Sequence, residues 1–315
     1  VKKTKIGSYK IFFPRLQRIY RFIIEDRFLL AFLILLVSMI VMSVFADLIA
    51  PNDPYRINLA EKLNPPSADH IMGTDQLGRD LFSRIIYGGR YTLMLSAASI
   101  ALALLIGLVV GTVSGYYRGL LDLVVQRIID ILMAFPTIVL AIALATFIGS
   151  KPETLVVAVG IAESPFMVRV IRSAVLGISE MPYIEAVKLM GYSDLYVIVR
   201  HVIPNIVYVV IPQATLQMGS AILTIAALGF LGIGIKPPTP EWGSMLNEAR
   251  TYLMDYPHLL VFPGLMIFLA VVSFNVIGES LRIKLDPKAR VTYSIVGIRV
   301  GSIFREPGGD RYGRQ

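Results

Sequence analysis

The sequence contains no cysteine. That absence excludes a disulfide framework, a thiolate metal site and a cysteine nucleophile. Histidine is scarce as well. His70, His201 and His258 lie far apart in the chain and lack metal-ligand spacing, so no metal site is expected. Charge is thin: 17% of the 315 residues are Asp, Glu, Lys or Arg, against about 25% in soluble globular domains. No Gly-x-x-x-x-Gly-Lys-Ser/Thr occurs, so the loop that cradles nucleotide phosphates is missing. Nor is there a pair of carboxylates, a Ser/His/Asp set or a metal motif to support a membrane enzyme.

Apolar residues dominate instead. They make up 55% of the chain, and the mean hydropathy is +0.68. They fall in long blocks, and an apolar run of about 20 residues reads as a membrane span. Six spans are expected, at 28–50, 92–116, 123–149, 154–177, 206–234 and 258–281. The first ends near Val44-Phe45-Ala46, which resembles a signal-peptide cleavage site. The run is longer than a signal core and a long basic segment precedes it, so an uncleaved span is the better reading. The expected class is an all-α polytopic membrane protein.

The net charge of +8 concentrates at the ends. Residues 1–27 hold Lys2, Lys3, Lys5, Lys10, Arg15, Arg18, Arg21 and Arg27, and residues 282–315 hold eight more basic side chains. This is the signature of cytoplasmic segments and not of a nucleic-acid surface. Both termini are therefore expected in the cytoplasm, which requires an even number of crossings. Loops 51–91 and 235–257 then lie outside and loop 178–205 inside. The outer loop still carries Arg56, Lys62, Arg79, Arg84 and Arg90. The chain divides into a cytoplasmic tail 1–27, a first span 28–50, an extracytoplasmic loop 51–91, a core 92–288 and a cytoplasmic tail 289–315.

Two loops carry patterns. In the outer one, Gly73-Thr74-Asp75-Gln76-Leu77-Gly78-Arg79-Asp80 is glycine-rich but is not a phosphate loop, because no Gly-Lys-Ser/Thr follows. Asp75 is placed to cap a short surface helix running to a break at Gly88-Gly89. Asp75 with Arg79, and Asp80 with Arg84, would pair at i,i+4 on its polar side. In the inner loop, Pro182 suits a helix start and Gly191 a left-handed stop. Ser193 would cap a second helix ending at Pro204-Asn205. A structured loop of this length is often functional.

Within the spans, Gly107, Gly111 and Gly115 form a ladder that lets helices approach closely. Asp130 and Glu163 are ionisable groups in apolar stretches, which makes them functional candidates. Asp130 can pair with Arg127 three residues earlier. Glu163, before Ser164-Pro165, lines a polar path or marks a helix break. Asn275 is a further polar candidate in the last span. Arg169 and Arg172 are expected to snorkel to the interface, and Trp242, the sole tryptophan, to anchor at the outer one.

The inner loop resembles the EAA loop of ABC-transporter permeases. Glu185, Ala186, Gly191 and Pro204 match that motif, with Lys188 and Tyr192 inside it, and Val187 stands where Ala is usual. His201 with Pro204-Asn205 is similar to the dipeptide/oligopeptide/nickel branch. So are Gly73-Thr74-Asp75, Gly78-Arg79-Asp80, Ser83-Arg84, Phe135-Pro136, Trp242-Gly243, Phe262-Pro263-Gly264, Phe274-Asn275 and Asp286-Pro287. The resemblance covers about residues 25–288. Ser164 stands where the branch usually has Trp, and Glu279 where Asp is common.

The resemblance implies a type I importer permease fold and a subunit in a bacterial or archaeal plasma membrane. It implies a second homologous permease chain as heterodimer partner, two ATP-binding-cassette subunits and an extracytoplasmic substrate-binding protein. ATP and Mg would sit on the partner subunits, and this chain would bind no cofactor. The loop 178–205 would dock into an ATP-binding subunit through Glu185, Ala186, Lys188, Gly191, Tyr192 and Pro204. Short peptides lead as cargo, with nickel chelates or oligosaccharides as alternatives. The competing class is a proton-coupled secondary transporter using Asp130 or Glu163. Such carriers commonly show internal repeats, and none is evident.

Overall fold

The computed structural model describes residues 26–149 and 151–285. Residues 1–25 and 286–315, which hold most of both basic tails and the Asp286-Pro287 match, lie outside the described residues. Helix α1, Arg27–Val44, starts where the Asp26 carboxylate accepts the Phe28 and Leu29 amides. A short helical segment, Ala46–Ile49, follows directly, and then an irregular loop with one 3-10 turn at Leu59–Glu61. Helix α2, Leu81–Tyr117, is 37 residues long and therefore about 55 Å. Helices α3, Gly119–Met133, and α4, Thr137–Ile148, meet at a bend of 91°. Then come α5, Pro152–Ser179, the short α6, Pro182–Leu189, and α7, Asp194–Phe230. A short α8, Trp242–Ala249, precedes the last helix, α9, His258–Leu285.

Helices α2 and α5 run parallel. A side chain at Gly107 would meet Met167, one at Gly111 would meet the Val168 carbonyl, and one at Gly115 the Arg172 carbonyl, so contacts advance together along both helices. The glycine ladder is thus the seam between them, and small residues are what permit it. Parallel neighbours fix the path of the chain between them. Residues 118–151 must return from the far end of α2 to the near end of α5. The bent pair α3–α4 is therefore one crossing, and the described residues make six. Helices α7 and α9 alternate in direction, so Arg27 and Leu285 emerge at one end, together with α6. The other end carries residues 50–80 and 231–257.

Several expectations are corrected here. The loop before α2 does not hold a separate surface helix. Asp80 caps α2 by accepting the Ser83 amide at 2.8 Å, and the helix runs unbroken through Gly88-Gly89. Those glycines make room for Trp242 and Ser43. The third span is straight only in two pieces, broken at Phe135-Pro136 because proline and its preceding residue leave the helical hydrogen-bond ladder. Pro204 does not end a helix. The Ser193-capped segment passes through a π-helical turn at Ile198–Val202 and continues as α7, Pro204 falling early in Ile203–Phe230. Pro165 likewise sits inside the unbroken α5. Trp242 is wholly buried, its indole N–H donating to the Ile85 carbonyl at 2.9 Å, so it is a core residue and not an interface anchor.

Candidate functional site

At one end of the bundle, α6 and the start of α7 form a hairpin. Pro182 occupies the first turn of α6, where its missing N–H costs nothing. Gly191 turns the chain with φ +84°, and nothing lies within 4 Å of where a side chain would sit. Ser193 caps the following turn. The inner face of the hairpin is buried: Ile184, Val197 and Val202 are at 0% exposure against Ile171, Val175 and Tyr116. The outer face is apolar and exposed. Leu189 is 83% exposed, Met190 71% and Leu195 71%. Tyr192 stacks on Tyr196 at 4.6 Å. Glu185 and Ala186 also face outward, and Pro204 is exposed nearby.

Tyr116, at the end of α2, ties both arms of this hairpin to the bundle. Its hydroxyl donates to Asp194 at 2.7 Å, and the Lys188 ammonium lies over its ring at 4.3 Å. Arg118 pairs with Glu180 at 3.1 Å. Burial of Tyr183 raises its phenol above the ordinary value.

The opposite end is held by a buried lattice of charge. Arg79 bonds Asp75 at 2.6 Å and Glu248 at 2.8 Å. Arg84 reaches the same two acids at 3.3 and 3.1 Å. Both guanidinium side chains are about fully buried, at 2% and 1% exposure. The expected Asp75–Arg79 pair therefore forms, but in a loop, where Asp75 also accepts the Leu77 and Arg79 amides. The expected Asp80–Arg84 pair does not. Asp80 holds the His70 Nδ1 at 2.8 Å, and His70 Nε2 faces Glu61 at 3.3 Å. The hydrogen bond to Asp80 raises the His70 pKa; Glu61 adds to this and burial opposes it. Gly73 and Gly78 have φ of +82° and +72°, and a side chain at either would strike the Asn64 or Asn58 carbonyl. The Thr74 hydroxyl bonds the Glu61 carbonyl and accepts the Asn64 amide.

Sequence reasoning missed Glu248 and Glu241. Glu241 caps α8 by accepting the Gly243 and Ser244 amides, and also accepts from Thr92. Burial pushes its carboxyl above the usual range. The only local signal for Glu241 was its place just before Trp242-Gly243. Glu248 had none.

Between the two ends the polar groups are placed differently from expectation. Asp130 pairs with Arg169 at 2.6 Å and not with Arg127, and Arg172 grips Asp122 with two hydrogen bonds. Both arginines thus pair α5 with α3. Glu163 is buried between α5 and α7, bonded to Ser220 and Gln217. Asn275 is exposed on α9 beside Gly219. The structure does not bring Asp130, Glu163 and Asn275 into one cluster. No group of three His, Asp or Glu able to hold a metal occurs among the described residues.

This end-capped, six-crossing bundle can be compared with known proteins. Residues 103–291 match the family described as binding-protein-dependent transport system inner membrane component. The chain belongs to that family. Residues 15–66 match the N-terminal transmembrane domain of oligopeptide transport permease C. Relatives of this permease include the dipeptide transport system permease protein DppC of Alkalihalophilus pseudofirmus, 41% identical over 82% of this chain and 85% of the relative. The glutathione transport system permease protein GsiD of Pectobacterium atrosepticum is 41% identical over 80% and 84%. The probable D,D-dipeptide transport system permease protein DdpC of Escherichia coli is 39% identical over 81% and 86%. Among solved structures, an inward-facing MetNI methionine ABC transporter chain aligns with a TM-score of 0.55 at 18% identity, covering 65% of this permease and 98% of that chain. That likeness is one of fold.

Proposed function

We propose that this permease carries short peptides, paired with a second permease chain and driven by two ATP-binding subunits docked on the hairpin of α6 and α7. The hairpin end is then cytoplasmic, and the charge-locked end receives a substrate-binding protein. The observation that carries the reading is the hairpin itself. It projects an exposed apolar face with Leu189, Met190 and Leu195 at its tip while its inner face is fixed to α2 and α5. A solvent-facing patch of that kind marks a protein contact. Peptide cargo follows the relatives, whose names specify dipeptide, glutathione and D,D-dipeptide transport. Glu185, Ala186, Gly191, Tyr192 and Lys188 are the docking residues on this reading, with Pro204 at the entry to the long segment of α7. ATP and Mg belong to the partners.

Affinity isolation from native membrane tests this. Two ATP-binding subunits and a second six-span chain are expected to co-purify. Gly191→Asp forces a side chain into a left-handed turn and a charge into the contact, and is expected to abolish both ATPase retention and uptake. Isolation of the chain alone, moving solute on a proton gradient, would overturn the proposal in favour of a secondary transporter.

A further inference from the structure

Glu163 lies midway along α5 and is 4% exposed. Its Oε1 accepts from the Ser220 hydroxyl at 2.7 Å, and its Oε2 faces Gln217 Nε2 at 3.4 Å. The same Nε2 donates to the Glu163 carbonyl at 3.2 Å. All of these donors are neutral. No charged group among the described residues faces the carboxylate. The nearby cations are engaged elsewhere, Arg169 by Asp130 and Arg172 by Asp122. A carboxyl group removed from water inside a bilayer either holds a proton or has a partner charge, and only a cationic partner also supplies the donors this site lacks.

A second observation points the same way. The other end of the Gln217 amide, Oε1, is buried and has no donor. A buried acceptor left open beside an uncompensated carboxylate needs an explanation. A group with several N–H donors and a positive charge satisfies both at once. Water brings hydrogens but no charge, and a neutral amide brings no charge either. Access exists on one side. Ser220 is exposed at the bundle surface, and Gln213, one turn before Gln217 on the same face of α7, is partly exposed.

We propose that Glu163, Gln217 and Ser220 form a binding station for the primary ammonium group of the transported solute. The assignment rests on the peptide-importer reading and names which end of the peptide this chain would hold. Ser220 would lead the ammonium in, Glu163 would neutralise it, and Gln217 Oε1 would take one of its hydrogens.

The test uses the complete membrane complex in detergent, without the binding protein. Saturation-transfer NMR measures the affinity of Ala-Ala and of N-acetyl-Ala-Ala. The wild type is expected to prefer the free amine by at least about ten-fold. Glu163→Gln, of nearly the same shape, is expected to erase that preference while leaving the affinity for the acetylated peptide unchanged, which also reports an intact fold. Glu163→Asp is expected to keep part of it. Equal affinities in the wild type, no binding of either peptide, or a preference that survives Glu163→Gln overturns the proposal. So does release of the partner permease by Glu163→Gln without any amine preference in the wild type, which would assign the carboxylate to a subunit contact. ATP-driven uptake of Ala-Ala by wild-type proteoliposomes is measured separately. Its absence removes the importer reading, whereas uptake without amine preference removes only the ammonium station.

Discussion

At the scale of single residues, the charge lattice around Arg79 and Arg84 is the most constrained part of the molecule. Two guanidinium groups share two carboxylates out of water, so each acid touches both cations and the four charges balance. Removing one partner from a buried ion pair costs about 3–5 kcal/mol, because the other charge is stranded. Glu248→Ala is therefore expected to lower the unfolding midpoint of the purified protein sharply, and Glu248→Gln somewhat less. His70 sets a pH window. Both ring nitrogens face carboxylates, so the imidazolium is the form that fits. Its folded pKa is raised. The stability it contributes is complete below the unfolded value of about 6.5 and is lost as pH rises through the raised folded value. Thermal scans from acid to mildly alkaline pH should show a falling midpoint for the wild type and a flatter profile for His70→Gln. The Asp75–Arg79 contact was legible because four residues separate the two. Glu248 was not, since it reaches Arg79 across 169 positions and no local pattern encodes that. The helical spacing of Asp80 and Arg84 is real, but the Asp80 carboxylate is taken by the Ser83 cap and His70, and Arg84 turns to Asp75 and Glu248.

At the scale of elements, hydropathy located each crossing, while the ends and breaks depended on packing. By sequence alone Gly88-Gly89 reads as a helix stop. In the fold the two glycines accommodate Trp242 and Ser43 against an uninterrupted helix, a role that only the tertiary partner reveals. The glycine ladder could be read in advance because its four-residue spacing has one physical use in a membrane. Even so, the sequence did not announce the π-helical turn over Gly107–Gly111 in the middle of α2. Gly111 is the tightest backbone contact of the ladder, 2.7 Å from a would-be side chain to the Val168 carbonyl. Gly111→Leu must push α2 off α5, and overpacking of this kind costs about 1–3 kcal/mol or more. A drop in thermal midpoint and in membrane yield is expected, with Val109→Leu, on the exposed side, close to wild type.

At the scale of the whole molecule, two ends joined by six crossings invite the question of how one end informs the other. Tyr116 offers a direct answer. It closes a 37-residue helix that begins at the charge lattice and holds both arms of the hairpin at the far end. On the proposed function, Tyr116→Phe keeps the ring but loses the hydrogen bond to Asp194. ATP-binding subunits should still dock, since the outer face is untouched, but ATP hydrolysis should continue with uptake reduced several-fold. Parallel measurements of the two rates on one preparation check this; an unchanged ratio would mean the contact only stabilises the hairpin.

The elbow between α3 and α4 has a bearing on the surrounding lipid. Its arms have 15 and 12 residues, about 22 and 18 Å long, and neither alone matches a hydrocarbon layer of about 30 Å. Folded at a near right angle with both arms equally inclined, the pair reaches about 28 Å along the membrane normal, so the crossing spans the layer only while the elbow holds its angle. Bilayer thickness is then a mechanical load carried by one hinge, Phe135-Pro136, and longer acyl chains act to straighten it.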